Sequence, residues 1–167
     1  MAVKFSCDEV LEMGLQIERN GRRFYARAAG AATDPDVAAL LGELAEMESD
    51  HERIFADLKG RLPAEGLPEA GYDPYGETAL YLRAAADTHV FNVYQGDPEV
   101  LAECDDPLEV VKMALQFEKD SVVFFLGLAD MVPEQLGRPE VEALVQEEMR
   151  HITQLNAKLE ELRARRA

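Results

Sequence analysis

Apolar residues recur three and four positions apart through four long stretches of the chain, the spacing that gathers side chains on one face of a helix. The stripes run through Leu11, Leu15 and Tyr25, then Leu41, Leu44, Phe55 and Leu58. They resume in Val111, Leu115, Val122 and Phe125, and again in Leu144, Val145, Ile152 and Leu155. Capping residues bound the stretches. Ser6, with Glu9 three residues on, is a capping box opening a helix that runs to about Gly30. Asp34-Pro35 starts a second helix ending near Gly60, and Asp106-Pro107, with Glu109 completing a box, starts a third that fades near Met131. A fourth begins around Arg138-Pro139 and continues almost to the end. Each spans roughly 22 to 28 residues, or about 33–42 Å. The breaks within each pair are short, so each pair reads as an antiparallel hairpin. The segment between the hairpins, about 61–105, is first rich in proline and glycine and then helix-like from Glu77 to about Tyr94. The pattern predicts an all-α, single-domain four-helix bundle over residues 1–167, two hairpins joined by a long, partly helical crossover.

The halves repeat at an offset of one hundred residues. Glu9/Glu109, Val10/Val110, Met13/Met113, Leu15/Leu115, Gln16/Gln116, Glu18/Glu118, Phe24/Phe124 and Ala29/Ala129 match in the first helix of each hairpin. Leu44/Leu144, Glu48/Glu148 and His51/His151 match in the second, which implies a duplicated hairpin about an approximate twofold axis. The repeat also carries the chemistry. Glu18, Glu48, His51, Glu118, Glu148 and His151 all fall on the apolar stripes, where ionised carboxylates are very costly unless paired or metal-bound. Glu48 and His51 lie three apart and project together, as do Glu148 and His151. A lone Glu-x-x-His on a helix is common and signifies little. Two complete sets in register are the ligand inventory of a two-metal carboxylate site. Glu18 and Glu118 can each terminate one ion, Glu48 and Glu148 can bridge both, and His51 and His151 can each add a nitrogen. Mixed carboxylate and imidazole ligation suits iron or manganese, and zinc can occupy such a site. Tyr25, two turns beyond Glu18, can direct its hydroxyl at a ligating carboxylate, whereas its repeat mate Phe125 cannot. Gln16 and Gln116 fall off the stripe, and His89 reads as a crossover residue rather than a ligand.

Composition narrows the setting. Thirty-three acidic against seventeen basic side chains give a net charge of −16, which opposes binding to nucleic acid or anionic lipid and favours cations near the surface. The absence of a long apolar run or a signal-peptide core leads to the expectation of a cytoplasmic protein with no membrane partner. Cys7 and Cys104 belong to no Cys-x-x-Cys motif and read as unpaired thiols. Phe24, Val123 and Phe124 widen the apolar surface beyond one face, which suggests a homodimer.

With Glu18, Glu48-x-x-His51, Glu118 and Glu148-x-x-His151 in this order, the chain resembles the ferritin-like superfamily and most closely the rubrerythrin type. The resemblance implies a ferritin-like bundle, a non-haem centre with two iron ions per chain, and activity as a peroxidase or ferroxidase, often in dimers. Rubrerythrins usually carry one more glutamate a turn after the third-helix glutamate. Here that position is Ser121, so the ligand set is closer to that of bacterioferritin. The paired Cys-x-x-Cys motifs of a rubredoxin domain do not occur, so electrons are expected from a separate donor protein or from ferrous iron. The resulting expectation is a di-iron oxidoreductase acting on peroxide or dioxygen in iron or oxidative-stress metabolism. A module that stores, delivers or senses iron with little turnover is the alternative.

Overall fold

The computed structural model describes residues 5–63, 75, 77, 80–82, 84, 104 and 106–167. Within these, four long helices account for the architecture: α1 (Cys7–Ala31), α2 (Pro35–Gly60), α3 (Pro107–Met131) and α4 (Arg138–Ala164), with a short 3₁₀ turn at Glu134–Leu136. The capping signals set the starts. Ser6 and Glu9 form the reciprocal capping box of α1. The Asp34 carboxylate accepts from the Asp36 and Val37 amides at the head of α2, and Asp106 accepts from Leu108 at the head of α3. One expectation is corrected: Glu109 does not complete a box at α3. Its carboxylate instead accepts from Lys112 Nζ at 2.7 Å, an i,i+3 charged partner on the same exposed face.

α1 packs along α2 and α3 along α4, giving the two hairpins. Buried apolar residues form two clusters, one toward each end of the bundle. Val10, Leu11 and Leu15 of α1 join Phe55 and Leu58 of α2, Phe124, Phe125 and Leu128 of α3, and Val141 and Leu144 of α4 in the first. Phe24, Tyr25, Val37, Leu41, Leu44, Val111, Leu115, Leu155 and Leu159 lie in the second. The order in which each helix visits the clusters fixes its direction. α1 and α4 run from the first cluster to the second, whereas α2 and α3 run the other way. The end of α2 and the start of α3 therefore lie at opposite ends of the bundle, as a crossover connection requires. Most of segment 61–105, including His89 and much of the helix expected at 77–94, lies outside the described residues. Of those described there, Leu82 is fully buried in the first cluster and Leu62 packs against it, Cys104 packs against the second, and the Tyr81 hydroxyl donates to the Val123 carbonyl at 2.7 Å. No helix among the described residues is long and apolar enough to cross a membrane. Phe24 and Phe124, expected to widen the outer surface, are instead buried within the chain, and Val123 with Leu126 stays exposed on α3. Phe24 fills the α1–α3 seam edge-on against Phe117.

The turn into α4 depends on Gly137, whose φ of 118° lies in the left-handed region. A Cβ there would also fall 2.3 Å from Leu58 Cδ2, inside contact distance with the first cluster. Backbone strain and overpacking add, so Gly137→Ala should destabilise the fold by about 2–4 kcal/mol, read from urea unfolding. A change below about 0.5 kcal/mol would show that the turn tolerates a side chain.

Candidate metal centre

Between the two apolar clusters lies a polar layer built from all four helices. Glu18 comes from α1, Glu48 and His51 from α2, Glu118 from α3, and Glu148 and His151 from α4. Each is 4% exposed or less. All six residues anticipated as ligands are therefore gathered at one level of the core. Each helix places its share by register alone, since positions three apart share a face and α1 and α3 add one glutamate each.

Their donor atoms fall into two overlapping groups, Glu18, Glu48, His51 and Glu148, and Glu48, Glu118, Glu148 and His151. Within each group one donor atom from every residue lies within 4.8 Å of the others. Glu48 and Glu148 belong to both, and each divides its oxygens between the halves. Glu148 directs Oε1 to His51 Nδ1 at 2.8 Å and Oε2 to His151 Nδ1 at 3.1 Å. Glu48 directs Oε2 to His51 Nδ1 at 3.6 Å and Oε1 to His151 Nδ1 at 3.8 Å. The outer carboxylates serve one half each: Glu18 Oε2 is 3.7 Å from His51 Nδ1, and Glu118 Oε1 is 3.5 Å from His151 Nδ1. The two imidazoles stack with centroids 5.5 Å apart and planes inclined by 13°.

Such a set of side chains fits a pair of divalent cations better than an internal salt-bridge network. Glu18 Oε1, His51 Nδ1 and Glu148 Oε1 are buried yet make no hydrogen bond. The 2.8 Å approach of His51 Nδ1 to Glu148 Oε1 is close without hydrogen-bond alignment, as when two donor atoms converge on a third point. Buried polar atoms are nearly always satisfied, so a group of orphans among carboxylates asks for a cation. Four carboxylates balance the charge of two divalent ions, and the imidazoles can stay neutral. Tyr25, fully buried, donates its hydroxyl to Glu118 Oε1 across the α1–α3 seam. A narrow cleft of about 10 Å³ borders the layer at this seam, lined by Ile17, Gly21, Phe117 and Ser121 beside Glu18, Tyr25, Glu48 and Glu118. Gly21 keeps it open, since a Cβ there would lie 3.2 Å from Glu48 Cδ. Gln16 and Gln116 lie off the layer, pairing with Asn20 at 3.0 Å and Asp120 at 2.8 Å along their own helices.

Sequence reasoning missed the residues behind the imidazoles. His51 Nε2 lies 3.1 Å from Glu147 Oε2, and His151 Nε2 lies 3.1 Å from Met47 Sδ. Met47 and Glu147 are repeat mates, immediately before Glu48 and Glu148, so the offset of one hundred residues could have pointed to them.

The chain matches the rubrerythrin family over residues 9–160. It belongs to that family. Two solved structures are similar over nearly their whole length. One is a candidate ferritin-like diiron-carboxylate protein from Thermotoga maritima, with a TM-score of 0.67, 21% identity, and 95% of this chain and 97% of that one covered. The other is a hypothetical protein from Pyrococcus furiosus, with a TM-score of 0.65, 20% identity, and 95% and 90% covered. At these identities the likeness establishes the ferritin-like fold. No curated protein matches the chain.

The electrostatics of the layer's own side chains in this rubrerythrin-family fold point to what a cation would relieve. Burial raises the pKa values of Glu18, Glu48 and Glu118 above the ordinary carboxylate value of 4.5, and the neighbouring Glu148 charge adds to the rise. Burial opposes protonation of His51 and His151, yet the facing carboxylates outweigh it, raising both and bringing His151 to about 10. Burial works against ionisation of Glu148 too, but its two histidine contacts hold it below the usual range. These shifts favour protons on the layer's own groups, which a bound cation would displace. Groups with raised folded-state pKa values stabilise most below their unfolded values, 4.5 for glutamate and 6.5 for histidine, and that contribution fades as pH rises through the folded ones. The melting temperature of metal-free protein should therefore fall between about pH 6.5 and pH 9, while stabilisation by added manganous ion should grow over that window. Metal-induced stabilisation that shrinks as pH rises would contradict the assignment.

Proposed function

We propose that this rubrerythrin-family chain is a non-haem di-iron oxidoreductase that reduces peroxide or dioxygen. The observation that carries the reading is the pair of overlapping donor groups sharing Glu48 and Glu148. Two separate ions would need two separate ligand sets. Here each shared carboxylate turns one oxygen to each half, which suits two ions bridged within about 4 Å of each other. Glu18 with His51, and Glu118 with His151, would complete the two coordination spheres. Carboxylate and imidazole donors suit iron or manganese rather than a thiolate-seeking metal.

Glu18, Glu48, His51, Glu118, Glu148 and His151 would hold two ferrous ions, which when bound would supply one electron each, the two that reduction of peroxide to water consumes. The chain's own residues do the rest. The apolar clusters on either side exclude bulk water and strengthen every charge interaction between them. The cleft at the α1–α3 seam has room for roughly one water-sized molecule, a scale that suits a diatomic or peroxide-sized substrate. The Tyr25 hydroxyl holds Glu118 in place beside that cleft. Ser121 lines it where other rubrerythrins place a carboxylate, so no further glutamate is available there to exchange with a histidine when the oxidation state changes. Electrons for repeated turnover come from a separate donor protein, or from ferrous iron itself in a ferroxidase cycle. Exposed Val123 and Leu126 of α3 are the apolar surface on which a homodimer would form.

Stopped-flow spectroscopy of anaerobically ferrous-loaded protein tests the reading. Mixing with peroxide or dioxygen should oxidise both ions at about 1 s⁻¹ or faster, and a supplied reductant should sustain many cycles. A single stoichiometric oxidation, unchanged by reductant, would favour iron storage, delivery or sensing and sink the enzymatic reading.

A further inference from the structure

The sequence repeats at an offset of one hundred residues, and two of the exchanges that break the repeat beside the polar layer act in the same direction. Both histidines turn Nδ1 toward the carboxylate layer and Nε2 away from it. Position 147 lies behind His51 and its repeat mate, position 47, behind His151, each at 3.1 Å. At the first stands the carboxylate of Glu147, half-exposed. At the second stands the thioether of Met47. A carboxylate accepts a strong charge-assisted hydrogen bond from Nε2–H, which fixes the proton on Nε2, leaves the Nδ1 lone pair facing the layer, and makes that nitrogen a better donor. A thioether is a weak acceptor and does little of this. The second exchange is Tyr25 against Phe125. The Tyr25 hydroxyl donates to Glu118 and draws charge from that carboxylate, whereas Phe125 carries no hydroxyl to do the same for Glu18.

Building on the di-metal reading, we propose that the centre is inequivalent by construction: a tight metal position at Glu18 and His51, and a weaker, exchangeable one at Glu118 and His151, with Glu147 and Tyr25 as the positioning residues that set the difference. The tight half has a carboxylate-backed imidazole and an outer glutamate whose charge is not shared with a phenol. The weak half has a thioether-backed imidazole and an outer glutamate that shares its charge with Tyr25. Glu118 and Tyr25 line the α1–α3 cleft, so the exchangeable position also faces the route from solvent. Glu18 borders the same cleft, and access alone therefore does not separate the halves; the groups behind the ligands do.

Titration of metal-free protein with manganous ion, the free ion counted by its EPR signal, tests this without any turnover. Wild-type protein should bind two ions in steps at least about tenfold apart, the low end of the effect expected from groups behind metal ligands. His151→Ala should keep the first step, and His51→Ala should lose it. Glu147→Gln should weaken the first step by about 10–100-fold and leave the second nearly unchanged. Met47→Glu and Tyr25→Phe should each tighten the second step. Glu147 is half-exposed, so its replacement leaves the core intact, and far-UV circular dichroism of each variant checks that the helices are retained. One shared affinity for both ions, a first step that survives His51→Ala, or a Glu147→Gln variant that shifts both steps alike or neither overturns the inequivalence while leaving the di-metal reading in place. Failure of wild-type protein to bind manganous ion at all would overturn both.

Discussion

Four carboxylates and two imidazoles sit at one level of an apolar bundle, each all but removed from water. Transferring ionised carboxylates into such an interior is tolerable only when their charge is compensated. Burial and like charge raise the pKa values of Glu18, Glu48 and Glu118, and the facing carboxylates raise those of His51 and His151, so protons are the compensation the layer's own groups can offer. That compensation is incomplete, because buried donor atoms of Glu18, His51 and Glu148 remain without hydrogen bonds. Two divalent ions would neutralise four carboxylates and satisfy those atoms together. The rest of the architecture can be understood as the means of holding this layer.

The apolar clusters stand above and below it, so the helices are fastened on both sides of the charges they carry. Antiparallel hairpins let a short motif on each helix meet its partners at one height. Duplication then produces a second half-site at no extra topological complexity, and carboxylates near the axis face both halves. Glu48 and Glu148 occupy that position. The same symmetry makes departures from it informative. Met47 opposite Glu147 and Phe125 opposite Tyr25 are small changes in sequence, but each alters the polarity of a group touching, or equivalent to one touching, the layer.

The helix boundaries were legible because the caps are local: Ser6, Asp34 and Asp106 each satisfy amides two or three residues away. The six polar residues were legible because the interruption of an apolar stripe by a carboxylate is conspicuous, and doubly so when repeated. What escaped depended on contacts between helices. Glu109 fits a capping box on spacing alone, yet Lys112 captures its carboxylate. Phe24 and Phe124 lie beside the ligand stripes, and only the packing of α1 against α3 and of the aromatic groups within the first cluster shows that those flanks are interior. Glu147 precedes a ligand glutamate and reads as a solvated charge until α2 brings His51 against it.

The central claim is that one pair of shared carboxylates holds two ions in each chain. Anomalous diffraction at the iron edge, from crystals of ferrous-reconstituted protein, tests it most directly. The account predicts two peaks in the polar layer about 3.5–4 Å apart, with Glu48 and Glu148 between them, Glu18 and His51 on one, and Glu118 and His151 on the other. A single peak, or two peaks that share neither Glu48 nor Glu148, would contradict it.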